Sequence, residues 1–321
     1  MATSHHRHMM PLYPAAVASL DLRGFDLVLS SDSGPVKGVR LSPHAVHICY
    51  CHSPMRYLYD GYDAYRAGME GLTRLLFTAT ASYVRRRDLQ AAAKVTWFLA
   101  NSHYVAARIQ RFYQRDATVI HPPIDLHRAN VQGLMSPERH YLAAGRLVPY
   151  KRTELMIEAC SQLGRDLRVS GTGPELARLR KIAGPTVTFL GELSNSDLWR
   201  EYAQCRALLF AADEDFGMVP LEAQACGRPV IAYGAGGSLE TVSPETGVYF
   251  PEQTVASLAQ GILNFESREA SFDPLRTHAW AETFATPVFL RQIRDFILDK
   301  LPEAATTMVA DTEIDRIAGA L

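Results

Sequence analysis

Two carboxylates and two cations carry the strongest chemical signal in this sequence. Glu214 and Glu222 stand eight positions apart in EDFGMVPLEAQACGRPVI. The pattern puts Glu214 on a turn after a strand and Glu222 on the helix that the turn opens. Gly217 permits close backbone approach before that helix, and Pro220 sits in its first turn, where a missing N–H costs nothing. Gly227 and Pro229 close it. Unpaired N–H groups and the positive end of the dipole at such a start suit a phosphate. One carboxylate on the turn and one on the helix can accept hydrogen bonds from hydroxyls on two parts of an extended ligand, and sugars carry such hydroxyls. Arg146 and Lys151 lie in AAGRLVPYK, at the carboxyl end of another strand, where open α/β sheets bind ligands. A planar fork beside a compact charge suits a diphosphate. VSGTGPELARL sets Gly171 and Gly173 between a strand and a helix, and FLGELSNSDL ends a strand at Gly191 before a Ser/Asn cap, an edge able to hold a flat base through backbone groups. The third glycine of a dinucleotide fingerprint is missing, and no acidic residue follows a second strand in register, which argues against NAD.

The elements that must position these groups alternate along the chain. Strands are predicted at Phe25–Ser30, Val46–Cys51, Val95–Ala100, Ala117–His121, His140–Ala144, Leu167–Ser170, Val187–Leu190, Ala207–Ala211 and Pro229–Tyr233. Helices are predicted at Arg74–Lys94, Ser102–Tyr113, Arg152–Leu163, Pro174–Ile182, Ser196–Cys205, Val219–Cys226, Val255–Asn264 and Pro287–Leu301. Such alternation implies parallel sheets covered by helices on both faces. The stretch 121–139, with Pro122-Pro123 and no sustained period, reads as a connection between domains.

Composition narrows the class further. The chain has 321 residues, 33 Lys+Arg against 34 Asp+Glu, and a hydrophobic fraction of 47%, which argues for two globular domains and against a basic nucleic-acid binder. No run approaches the ~18 apolar residues of a membrane-spanning helix. The start MATSHHRHMMPLYP has no signal-type apolar core, which points to the cytoplasm. The tract Ser4–Met9, with His5, His6 and His8, reads as an inert terminus. Cys49, Cys51, Cys160, Cys205 and Cys226 fit no zinc spacing and read as reduced, buried thiols.

The motifs GRLVPYK, SGTGP, FLGEL, EDFGMVPLEAQACGRPVI and GGSLETV resemble, in order and spacing, those of the retaining GT-B glycosyltransferases of the sugar-nucleotide-dependent group-one family (family 4). ICYCHSPMRYLYD, FLANSHYVAARI and VIHPPID are similar to its amino-terminal domain, and HSPMRY resembles a mannosyltransferase-like subgroup. The resemblance implies an α/β GT-B fold, two Rossmann-like domains facing a cleft. The expected domains are 1–130 (acceptor side, shortened), 131–285 (donor side) and 286–321 (C-terminal helix and tail). It further implies that Arg146 and Lys151 hold the donor diphosphate and that Glu214 takes sugar hydroxyls. Glu222 would take the ribose and His52 would reach the donor sugar. Gly145, Gly171, Gly173, Leu193, Phe216, Gly217, Met218 and Val219 would complete the donor site. The reaction expected is retaining, metal-independent hexose transfer, with GDP-mannose the favoured donor and a saccharide or lipid-linked acceptor. No cofactor is implied beyond the nucleotide-sugar substrate. Asp213-Glu214-Asp215 resembles the D-x-D metal signature of the other glycosyltransferase fold, but the helix that follows argues against a metal.

A complete family member has further β/α units before the segment matching Phe25–Ser30, near 80 residues at ~30 per unit. A shortened chain, a reduced domain and a partner covering it are the alternatives. The competing function is a catalytically weak nucleotide-sugar-binding protein or partner subunit. Arg85–Arg87 read as a solvated helix face, the alternative being peripheral contact with anionic headgroups at the inner face of the cell membrane.

Overall fold

The computed structural model describes residues 10–129 and 137–301. The histidine tract at 4–9, the middle of the 121–139 connection and the 302–321 tail lie outside the described residues. The chain divides into two compact units, one comprising Met1–His121 with Gln292–Leu321, the other Pro122–Arg291.

In the first unit the order is α1 (Tyr13–Ala18), β1 (Leu27–Asp32), β2 (Val46–Cys51), α2 (Tyr62–Ala67), α3 (Gly71–Ala92), β3 (Trp97–Ala100), α4 (His103–Tyr113) and β4 (Ala117–Val119). The four strands form a parallel sheet in the order β1-β2-β3-β4. β1 begins two residues later than predicted, because Phe25 is held in a turn by a hydrogen bond from its N–H to the Leu22 carbonyl. α4 shows how the sequence specifies an element. Ser102 caps it by accepting from the Val105 N–H at 3.0 Å. Val105, Ile109 and Tyr113, four residues apart, are buried in one cluster with Phe98 and Ala100 of β3. Each apolar side chain so buried contributes about 1.5–3 kcal/mol.

The second unit runs β5 (Tyr141–Ala144), α5 (Thr153–Leu163), β6 (Leu167–Ser170), α6 (Leu176–Ile182), β7 (Val187–Gly191), α7 (Asn195–Gln204), β8 (Leu208–Phe210), α8 (Met218–Ala225), β9 (Val230–Tyr233), α9 (Ser238–Thr241), β10 (Gly247–Phe250), α10 (Val255–Arg268) and α11 (Pro274–Glu282). α12 (Thr286–Lys300) starts here, and its residues from Gln292 onward belong to the first unit, where Phe296 meets Trp97 edge-on. The parallel sheet has the order β10-β9-β8-β5-β6-β7. Side chains of successive strand residues point to opposite faces, and that alternation divides the core. Tyr141, Ala143, Leu209 and Ile231 pack with α5 and α10, whereas Leu142, Leu208, Phe210, Val230 and Ala232 pack with Tyr202 of α7 and Ala223 of α8. Both faces are therefore buried, the condition that purely parallel sheets require. All five cysteines are buried and free. No described helix is long and apolar enough to cross a membrane.

His47 in β2 gives the first unit a pH dependence. It is buried, with Nε2 2.9 Å from the Ser30 hydroxyl. Burial depresses its imidazolium to a pKa of about 4, with Lys37 acting in the same sense and Asp32 opposing. The unfolded chain binds a proton near pH 6.5, so stability is full above that value and falls as the pH drops towards 4. The loss expected from this group is about 3 kcal/mol. His140 of the second unit, depressed mainly by its own burial, acts with the same sign. Denaturant midpoints between pH 7 and 4 should therefore decline, and His47→Asn should flatten the decline. An unchanged slope in that variant would remove His47 as its source.

Candidate functional site

In the second unit the chain proceeds from β5 to β6 and β7 on one side, and from β8 to β9 and β10 on the other. The order reverses between β5 and β8, whose carboxyl ends are neighbours in a parallel pair. A crevice at such a reversal is where open α/β sheets take ligands. The Arg146/Lys151 loop leaves β5 and the Glu214 loop leaves β8, so topology brings the two signals together.

The side chains meet there. The Lys151 ammonium donates directly to Glu214 Oε1, and the two side chains are only 16% and 17% exposed. Lys151 Nζ also lies 5.5 Å from the centre of the Tyr150 ring and 5.9 Å from that of Phe210. Arg146 is exposed and has no ion-pair partner among the described residues. Gly145, Arg146, Lys151, Ser170, Phe210 and Ala212 line a small pocket at the strand ends.

Three loops are joined edge to edge around this pocket. The Gly145 N–H donates to the Ser170 carbonyl at 3.1 Å, and the Gly171 N–H to the Gly191 carbonyl at 2.7 Å. A Cβ at Gly171 would lie 1.9 Å from the Gly145 carbonyl oxygen, so only glycine allows this approach. Gly173 abuts the Leu147 carbonyl in the same way. Leu193, half-buried, lies in the loop from β7 to α7 that Ser194 caps.

α8 starts from Gly217, whose φ of +96° is a left-handed conformation. Met218 and Val219 open the helix, and their N–H groups find no acceptor among the described residues. The Phe216 side chain packs into a cluster with Ile124, Leu221 and Phe284. Glu222 lies one turn on and accepts from the Tyr202 hydroxyl at 2.7 Å. Burial raises its pKa above the ordinary carboxylate value, while the Tyr202 hydrogen bond and the charges of Arg128 and Lys151 pull it down.

Two supports escape a reading by residue type. Tyr202 orients Glu222 from α7, twenty positions away. Gly237 lets a backbone segment lie beneath the acidic loop, its N–H donating to the Glu214 carbonyl at 2.8 Å, and a Cβ there would sit 2.2 Å from Phe216 Cα. The GG pair in GGSLETV was the available signal for it.

His52 belongs to the first unit, directly after β2. Its N–H donates to the Asp32 carbonyl at 2.8 Å, its Nε2 lies 2.8 Å from the Ser31 hydroxyl, and its ring meets Tyr50 edge-on. The Arg85–Arg87 run is not one solvated face. Arg85 turns inward, donating to the Leu58 carbonyl and covering the rings of Tyr62 and Tyr59, while Arg86 and Arg87 are exposed.

Fold and site together define an α/β protein of the GT-B class, two parallel-sheet units of which the second carries, at its switch point, a crevice where Lys151 meets Glu214. Residues 129–280 match the family described as glycosyl transferases group 1. A GDP-mannose-dependent monoacylated alpha-(1-6)-phosphatidylinositol monomannoside mannosyltransferase of Corynebacterium glutamicum is 34% identical over 150 residues, 42% of this chain and 38% of that relative. A D-inositol 3-phosphate glycosyltransferase of Salinispora tropica is 32% identical over 194 residues, 49% of this chain and 40% of that relative. The aligned part thus spans about two fifths of the length of these curated relatives. Among solved structures, a sucrose-phosphate synthase from Thermosynechococcus elongatus superposes with a TM-score of 0.69 at 21% identity, covering 94% of this chain and 81% of that one. Anabaena HepE in complex with UDP gives 0.57 at 16%, covering 92% and 96%. These last two likenesses speak for the fold.

Proposed function

We propose that this chain is a retaining, metal-independent hexosyltransferase that uses a nucleotide sugar, with GDP-mannose the favoured donor. The observation that carries the reading is the meeting of Lys151 and Glu214 at the switch point, with Arg146 open beside them. In this reading Arg146, Lys151 and the N–H groups of Met218 and Val219 stabilise charge on the departing diphosphate. Glu214 holds hydroxyls of the hexose, and Glu222, kept in place by Tyr202, accepts from the ribose diol. With diphosphate departure and acceptor attack on one face of the sugar, the anomeric configuration is kept without a protein nucleophile. The HSPMRY segment supports mannose, as does the description of the Corynebacterium relative as GDP-mannose-dependent.

A lipid-linked acceptor at the inner face of the cell membrane fits one further feature. Leu72, Leu75 and Leu76 of α3 are more than half exposed, with Arg74 among them, an apolar and basic combination suited to an anionic lipid surface.

The test is a thermal-shift panel of GDP-, UDP-, dTDP- and ADP-sugars, followed by turnover with the best binder. A ligand at 100 times its Kd adds about 2.7 kcal/mol of stability, and GDP-mannose should give the largest rise. A panel in which no nucleotide sugar moves the unfolding midpoint would reject the reading.

A further inference from the structure

Glu214 stands in an unusual relation to the cation beside it. A carboxylate whose task is to meet neutral sugar hydroxyls is in direct contact with the ammonium assigned to the phosphates. Among the described residues Lys151 has no other carboxylate partner, and its ammonium also lies over the Tyr150 and Phe210 rings. The backbone of Glu214 is held, its carbonyl accepting from the Gly237 N–H and its main chain resting against Gly236, so the carboxylate stays within side-chain reach of Lys151. Both side chains are mostly withdrawn from water, so the pair is screened less than a surface pair.

We propose that Glu214 makes this crevice discriminate between the intact nucleotide sugar and the spent nucleoside diphosphate. The inference rests on the reading above that Lys151 meets the donor phosphates. Any phosphate reaching Lys151 displaces a carboxylate that stays close by. In a nucleotide sugar the outer phosphate is esterified, carries less charge, and presents the hexose hydroxyls, which donate to the released carboxylate. In a free nucleoside diphosphate the outer phosphate is more highly charged and brings no such donors, so two anionic groups face each other in a poorly solvated place. Glu214 thus competes with the product for Lys151 and favours its departure once the sugar has left. Arg146, exposed and outside this ion pair, attracts either nucleotide and supplies no such discrimination.

Calorimetric titration of the full chain with GDP, UDP, GDP-mannose and UDP-glucose tests this, comparing wild type with Glu214→Gln and Glu214→Ala. Both variants should bind the free diphosphate of the preferred base at least tenfold more tightly, about 1.4 kcal/mol, and bind its nucleotide sugar more weakly. The gain should shrink as salt rises. If wild type binds both ligands and the variants bind the free diphosphate no more tightly, the discrimination is overturned while the donor site stands. If wild type binds no nucleotide, or Lys151→Ala binds as well as wild type, the donor-site reading fails and this inference with it.

Discussion

Lys151→Ala is expected to lower sugar transfer by at least about 100-fold, the scale seen when one charge-stabilising group is removed from where a leaving group develops charge. The argument lies in what remains. Without the ammonium, Arg146 is the remaining cation of this pocket, and it is exposed to water, whereas Lys151 is largely withdrawn from it and backed by two aromatic rings. A desolvated cation does more for a departing diphosphate than a solvated one, because the surrounding dielectric is lower. Glu214, left without its partner, would then repel the phosphates it formerly yielded to. The loss should therefore appear in affinity for the donor as well as in turnover. Glu214→Ala should also abolish transfer, but through loss of the hydroxyl contacts. Neither change touches the buried clusters of the sheet, so unfolding midpoints should stay within about 4 °C of wild type, the shift that ~1 kcal/mol brings to a domain of 150–250 residues. Steady-state transfer and nucleotide-sugar hydrolysis, measured beside thermal unfolding, decide it. Wild-type-like turnover in either variant would remove the role assigned to that residue.

Much of this crevice was readable because it is built from loops that immediately follow strands. Gly171, Gly173 and Gly217 mark places where the backbone turns or approaches closely, and the type of residue reports that directly. Arg146, Lys151, Glu214 and Glu222 lie within short segments whose strand and helix neighbours have clear periods, so sequence distance served as a guide to place. β10 (Gly247–Phe250) was not read as a strand, since four residues beginning with glycine and following a turn carry too little alternation. Contacts between distant segments left no local trace. Tyr202 reaching Glu222 and Gly237 beneath Glu214 depend on how α7 and α9 pack, which spacing along the chain does not encode. Arg85 shows the converse error. Three adjacent arginines look solvated as a composition, yet helix geometry turns one of them towards Tyr59 and Tyr62.

The same limit hid the most heavily charged part of the interior, and from it follows the largest expected effect on stability. Lys37, in a short turn of helix after β1, and Asp88, on α3, are fifty-one positions apart with nothing in the sequence to link them. Lys37 Nζ lies 2.6 Å from Asp88 Oδ1, 3.0 Å from Asp32 Oδ2 and 2.9 Å from the Gly34 carbonyl, and all three charged side chains are at most 2% exposed. Burial works to depress the Lys37 ammonium, but Asp88 and Asp32 outweigh it and hold its pKa above the ordinary lysine value. The Gly34 N–H donates to Asp32 Oδ1, and the Tyr59 hydroxyl to Asp88 Oδ2. Lys37→Met would leave two carboxylates buried without a cation, and breaking a buried pair in this way costs about 3–5 kcal/mol. Adding Asp88→Asn should recover part of the loss. The effect should reach His52, because its N–H is anchored on the Asp32 carbonyl and its ring on Ser31. Urea unfolding at pH 7 measures the deficit, and the imidazole resonances of His52 report the anchor. A deficit below about 1 kcal/mol at pH 7, within the range of an exposed ion pair, would show that this cluster does not hold the end of β1.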